Sequence, residues 1–197
     1  QEVCKLNMKT KNMVGVALFT AIVVVLQFLG GGIKVGGVFS ISLVLIPIVL
    51  GAAIYGPSAG ALLGATFGTV VFINCITGAD LGGAMVFQAN PVLCLLVVMS
   101  KGILAGVASG WVYKLLKGKN PYLAMLCAAI VCPVVNTGLF ALGSRLFFWD
   151  AYAEMGGGNA MMILMTVMIG FNFIAEFAAN LICAPVIVRI LHAVKIH

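Results

Sequence analysis

The sequence predicts an all-α polytopic membrane protein, a bundle of six transmembrane helices with both termini cytoplasmic. Three observations carry that expectation. Of 197 residues, 63% are hydrophobic and 8% charged, too little charge to coat a soluble domain. Six apolar stretches approach or exceed the roughly 20 helical residues that a bilayer core requires. The basic residues, finally, fall mostly on one side of the path that six crossings would trace.

The chain opens with polar "QEVCKLN" ahead of "MKTKN", which reads as a bacterial start. Met8 is the expected initiator, residues 1–8 an extension without structure, and residues 9–197 a single six-helix domain. The apolar run that follows "KTKN" has the charge order of a signal peptide. It is long, however, and no A-x-A-like site follows, so it is assigned as the first span. The six spans are 13–30, 39–55, 58–76, 91–114, 122–146 and 161–190. Glycine, proline or charge fills each gap, from "GGGIKVGG" and "YGPS" to "TGADLGGAMVFQAN", "KGKNP" and "WDAYAEMGGGN".

A formal charge of +6 would suit a nucleic-acid ligand if the cations formed a patch. They lie instead at span ends, which argues for membrane topology and against a nucleic-acid partner. With both termini inside, Lys5, Lys9, Lys11, Lys114, Lys117, Lys119, Arg189 and Lys195 are cytoplasmic, while Lys34 and Arg145 face out beside Asp80, Asp150 and Glu154. The expected location is a bacterial cytoplasmic membrane. The outer loops are the long ones, and Trp149 and Tyr152 are expected at the interface or over a pocket mouth.

Cys4, Cys75, Cys94, Cys127, Cys132 and Cys183 show no CxxC spacing and mostly lie in apolar runs, where cysteine acts as a small hydrophobe. His192 and His197 sit at the C-terminal end, so no metal site is expected.

Lipid gives helices no hydrophobic reason to associate, so contact depends on small residues. Gly60, Gly64 and Gly68 recur at i, i+4, i+8 on span three, and Gly102, Gly106 and Gly110 repeat the device on span four. These are expected to be internal seams. Span one carries Ala17-x-x-x-Ala21. Pro47, Pro133 and Pro185 fall inside spans, where each should kink its helix, whereas Pro91 and Pro121 sit at helix starts.

Ionisable residues in hydrocarbon should face a partner or a wet cavity. Lys101 lies ten residues into span four, about 15 Å deep, and Glu176 lies about halfway along span six. Asn172, Glu176 and Asn180 share one helical face. Asn136 and Thr137 follow the Pro133 kink, Gln88 and Asn90 open span four, and Asn74 ends span three. Two readings stand together. Lys101 and Glu176 form a buried ion pair with asparagines as interhelical hydrogen bonds, or spans three to six line a water-accessible pocket in which Lys101 awaits an anion. The candidate binding residues are Lys101, Glu176, Asn172, Asn136, Asn90, Gln88 and Asn74.

The segment "LVLIPIVLGAAIYGPSAGALLGATFG" (43–68), Asn90-Pro91, "NTGLF" (136–140) and Ala17-x-x-x-Ala21 together resemble the substrate-binding S components of energy-coupling factor (ECF) vitamin transporters. The likeness runs from about residue 9 to the end, and its most specific part is the proline–glycine segment between spans two and three. It implies a six-helix protein that captures a vitamin or precursor from outside and docks on a membrane T component with two cytoplasmic ATPases. It implies docking through Ala17 and Ala21, ATP used by the partner subunits, and no cofactor held by this chain. The chain itself lacks the G-x-x-x-x-G-K-[ST] phosphate loop.

One departure concerns a Pro-Arg pair common on the fourth helix of related proteins, where this chain has Ser100-Lys101. Lysine is a compact point charge and arginine a planar fork, so ligand contact there should differ. A midplane cation favours an anionic ligand, with pantothenate first and riboflavin, folate or a cobalamin precursor after it. The competing readings are a stand-alone proton-coupled carrier trading protons between Glu176 and Lys101, and an intramembrane enzyme using Glu176. The enzyme reading finds no H-E-x-x-H, paired aspartates or membrane histidine to support it.

Overall fold

A computed structural model describes residues 2–30, 34–35, 39–40, 43–79, 81–155, 158–159, 161 and 171–195. Asp80, His197, residues 162–170 of the expected sixth span and the side chain of Asn172 lie outside the described residues. The chain runs through α1 (Glu2–Gly30), β1 (Lys34–Val35), β2 (Phe39–Ser40), α2 (Leu45–Tyr55), α3 (Pro57–Thr77), α4 (Leu81–Ala89), α5 (Pro91–Leu116), α6 (Pro121–Phe147), α7 (Trp149–Met155) and α8 (Phe171–Lys195).

Among the described residues, four stretches are long and apolar enough to cross a membrane: α3, α5, α6 and the Thr10–Leu29 part of α1. α1 is helical from Glu2, within the extension expected to lack structure. Neither proline nor glycine occurs before Gly15, so nothing in the sequence stops the helix from continuing upstream. Along Thr10–Leu29 the fully buried side chain is Val23, whereas Met13, Val14, Leu18, Val25, Phe28 and Leu29 are exposed. α1 therefore lies on the outside of the bundle, against α2 and α3.

The expected second span, 39–55, divides in two. Phe39–Ser40 pairs antiparallel with Lys34–Val35, placing Lys34 opposite Ser40, and helix begins at Leu45. Pro47 is thus the third residue of α2 and not a mid-span kink; in a first turn its missing N–H deprives no carbonyl of a partner. Eleven residues rise about 16 Å, roughly half the thickness of a bilayer core. This short helix is the hub of the fold. Leu45, Pro47, Ile48, Val49, Gly51 and Ala52 are buried, and α1, α3, α5, α6 and α8 all pack on it.

α2 turns into α3 through Gly56, whose φ of 95° is one that a side chain would resist, and Pro57 then starts α3 with φ already fixed. α3 and α5 meet glycine on glycine. A side chain on Gly60 would strike the Gly106 carbonyl, one on Gly64 the Gly102 carbonyl, and one on Gly68 would come within 2.8 Å of the Val98 carbonyl. The predicted seams are therefore one seam, read from both sides, in an antiparallel pair.

α5 and α6 begin alike. Asn90 Oδ1 accepts from Val92 and Leu93 N–H at 3.1 Å each, and Asn120 Oδ1 accepts from Tyr122 and Leu123 N–H at 2.9 and 3.3 Å. A proline follows each cap at the first helical position. α6 continues through Pro133, and α8 through Pro185.

Two stretches expected as loops are short helices. α4 packs on α3 and α5 with Val86 buried and Phe87 edge-on to Phe72, ring centroids 5.7 Å apart. α7 folds back on α6, burying Phe148 and Tyr152, while Arg145 stacks 4.2 Å from the Trp149 ring centre. Tyr152 is therefore part of the core and not an interfacial tip. Cys75, Cys94 and Cys132 are buried, as small hydrophobes should be.

Candidate membrane-embedded binding site

The α5–α6 pairing is antiparallel, with Lys101 against Phe140, Val97 against Gly143, and Cys132 beside Ser109. Ser144, Phe140, Asn136 and Cys132 are spaced four apart on α6, so they form one stripe along the helix. Lys101 is half-buried at the Phe140 end. Its Nζ lies 4.7 Å from the Phe140 ring centre and 5.8 Å from that of Phe67 on α3, both within cation–π range. Two ring faces thus hold an ammonium inside the bundle with no carboxylate against it among the described residues, which leaves its charge available to a third group.

One turn along the stripe, Asn136 is 4% exposed, and its Oδ1 has no hydrogen-bond partner among the described residues. An idle acceptor at this burial is costly unless something else satisfies it. A further turn along, Cys132 neighbours Ser109 and lies within electrostatic reach of Glu176. Glu176 is 2% exposed. Phe140 and Cys132 are eight residues apart, about 12 Å along the helix. Asn136 thus lies between the Phe140 turn that faces Lys101 and the Cys132 turn that Glu176 influences. Ser144, at the far end, is bridged to Tyr152 by a 3.5 Å hydroxyl pair.

The remaining sequence candidates separate. Asn74 is buried near the end of α3, and its carbonyl accepts from Thr77 at 3.4 Å. Asn90 has its side-chain Oδ1 committed to capping α5. Gln88 is exposed at the end of α4. Asn180, one turn beyond Glu176, donates to the Glu176 carbonyl at 2.8 Å. Ala17 and Ala21 are exposed on α1. Ala17, Val16 and Thr20 of α1 with Tyr55 and Ser58 line an open groove of about 750 Å³ between α1 and the α2–α3 turn.

The family described as the ECF transporter, substrate-specific component, matches residues 11–188, nearly the whole described fold. The chain belongs to this family. A comparison with curated proteins finds no match. As a substrate-specific component it is a multi-pass membrane protein whose family role is substrate capture for a transporter.

Sequence reasoning missed Phe67 and Phe140 as the neighbours of Lys101 in this S component, and Ser109 as the neighbour of Cys132. The four-residue spacing of Ser144, Phe140, Asn136 and Cys132 was visible in the sequence. The α5–α6 register, which pairs Lys101 with Phe140, was not. The capping role of Asn90 could have been read by comparing its Asn-Pro with the second Asn-Pro at Asn120-Pro121.

Proposed function

We propose that this S component captures a small anionic vitamin or vitamin precursor on the polar stripe, with Lys101 binding the anion and Asn136 taking a hydroxyl or amide hydrogen. The observation that carries this reading is Lys101 itself, a cation inside an apolar bundle whose neighbours are two phenylalanine rings. A lysine kept for structure alone would be expected to find an oxygen. The flat ring of Phe140 beside it suits the apolar part of a ligand whose charged end meets Nζ. Pantothenate, with a carboxylate, two hydroxyls and an amide, is the first candidate; riboflavin, folate and a cobalamin precursor follow.

In this proposal α2 and α8 complete six crossings with α1, α3, α5 and α6, and both termini are cytoplasmic. The lysines at the start of α1, between α5 and α6, and at the end of α8 support that orientation. Substrate enters from the opposite face, past β1–β2, α4 and α7. The exposed face of α1, with Ala17 and Ala21 beside the groove to α3, docks a membrane T component coupled to two ATPases that use ATP.

Mass spectrometry of small molecules released from gently purified protein tests the reading. A vitamin-class anion at one per chain is expected. Failure to retain or take up any member of a vitamin panel, or transport by the chain alone driven by a proton gradient, would overturn it.

A further inference from the structure

A second concavity lies between α5 and α6, a groove of about 500 Å³ lined entirely by apolar residues and glycine. Leu104, Ala108 and Trp111 form one wall; Val134, Gly138 and Leu142 form the other. The α6 wall lies largely on the side of that helix opposite Asn136, so the groove is separate from the polar stripe. Leu104, Trp111, Val134 and Leu142 are all exposed, and a side chain on Gly138 would meet nothing within 4 Å. From Val134 to Leu142 the wall runs about 12 Å along the axis, enough for much of an acyl chain.

What sets this groove apart is the charge at one end. Lys114 reaches over the Trp111 ring, with its Nζ 5.7 Å from the ring centre, and exposed Lys117 and Lys119 follow in the connection to α6. Residues 91–147 contain four lysines, an arginine and no acidic residue, so nothing on either helix or their connection neutralises that end. Tryptophan and lysine at the end of an apolar span sit at headgroup level.

We propose that this groove is a selective site for an anionic phospholipid, with an acyl chain along Gly138 and the headgroup phosphate on Lys114 and Lys117. A zwitterionic lipid could fill the same trough, but its own ammonium would offset the gain from the lysines.

Native mass spectrometry of the purified chain, titrated with phosphatidylglycerol or phosphatidylcholine of identical acyl chains, tests the assignment. Phosphatidylglycerol should be retained preferentially, and Lys114→Gln and Lys117→Gln should each reduce the preference about fivefold. Both lysines are exposed, so folding is not at stake. Gly138→Leu, which has room for its side chain, should reduce retention of both lipids by filling the trough. Equal retention of the two lipids by the unaltered chain would overturn the proposal. So would an unchanged preference in the double lysine variant, or unchanged retention in Gly138→Leu.

Discussion

Lys101→Met keeps the reach of the side chain and its packing on Phe140 while deleting the charge. Affinity for an anionic ligand should fall by about 1.5 to 3 kcal/mol in calorimetric titration if the ammonium contacts it; unchanged affinity would make Lys101 a packing residue. Asn136→Leu separates stability from binding. Because the Oδ1 of Asn136 lacks a partner among the described residues, a leucine of similar size should leave thermal stability unchanged or raise it. The same change should weaken ligand binding by about 1 to 3 kcal/mol. Loss of stability with intact binding would reverse the assignment. At this scale the sequence drew attention to Lys101, Glu176 and Asn136, because an ionisable or amide group inside a hydrophobic run stands out; it also drew in Asn90, a helix cap, and Gln88, which is exposed. It did not identify their aromatic company, because phenylalanine is unremarkable in such a run and the pairing depends on helix register.

At the level of elements, the seam between α3 and α5 is the most demanding feature. Gly106 lies against the backbone of Gly60, so no rotamer of a larger residue could relieve the contact. Gly106→Leu should therefore separate the two helices and destabilise the protein by about 3 kcal/mol or more, seen as a marked loss of thermal stability in detergent. Gly138→Leu on open α6 surface should not. The seam was legible because glycine at i, i+4, i+8 has one main use between membrane helices. The break before α2 was not: seventeen apolar or neutral residues read as one span, and Pro47 as its kink, because hydropathy cannot distinguish a strand pair followed by half a helix. α4 and α7 escaped for a related reason. Each is shorter than a span and lies in a glycine-containing connection, and the anchors Val86, Phe148 and Tyr152 acquire meaning once the ends of α3, α5 and α6 are known.

For the whole molecule, the core is built by α2, α3, α5 and α6, with α8 against α6 and α2, and α1 outside. Ala17→Trp and Ala21→Trp should therefore leave ligand affinity intact. Both should abolish ATP-driven uptake in cells or proteoliposomes containing the T component and ATPases, since bulk there prevents helix approach. Uptake that survives would move the docking face elsewhere. A fluorescent-protein fusion after the last residue should fluoresce and an exported phosphatase fusion should stay inactive, as cytoplasmic termini require; the reverse pattern would invert the bundle. The long apolar segments made the all-helical membrane architecture readable. The distribution of packing among those segments was not, because α1 is as apolar as the helices that form the core.

That peripheral position bears on how such a protein can change over generations. With Val23 as the buried anchor of its apolar stretch, α1 answers to few neighbours. Substitutions on its outer face can accumulate without disturbing the packing of α5 on α6, and substitutions between α5 and α6 need no compensation from α1. Under the proposed function, in which α1 docks the T component and α5 and α6 bind the ligand, partner choice and ligand choice are separately heritable, and grafting the first helix of a related protein onto this chain is expected to exchange one without the other.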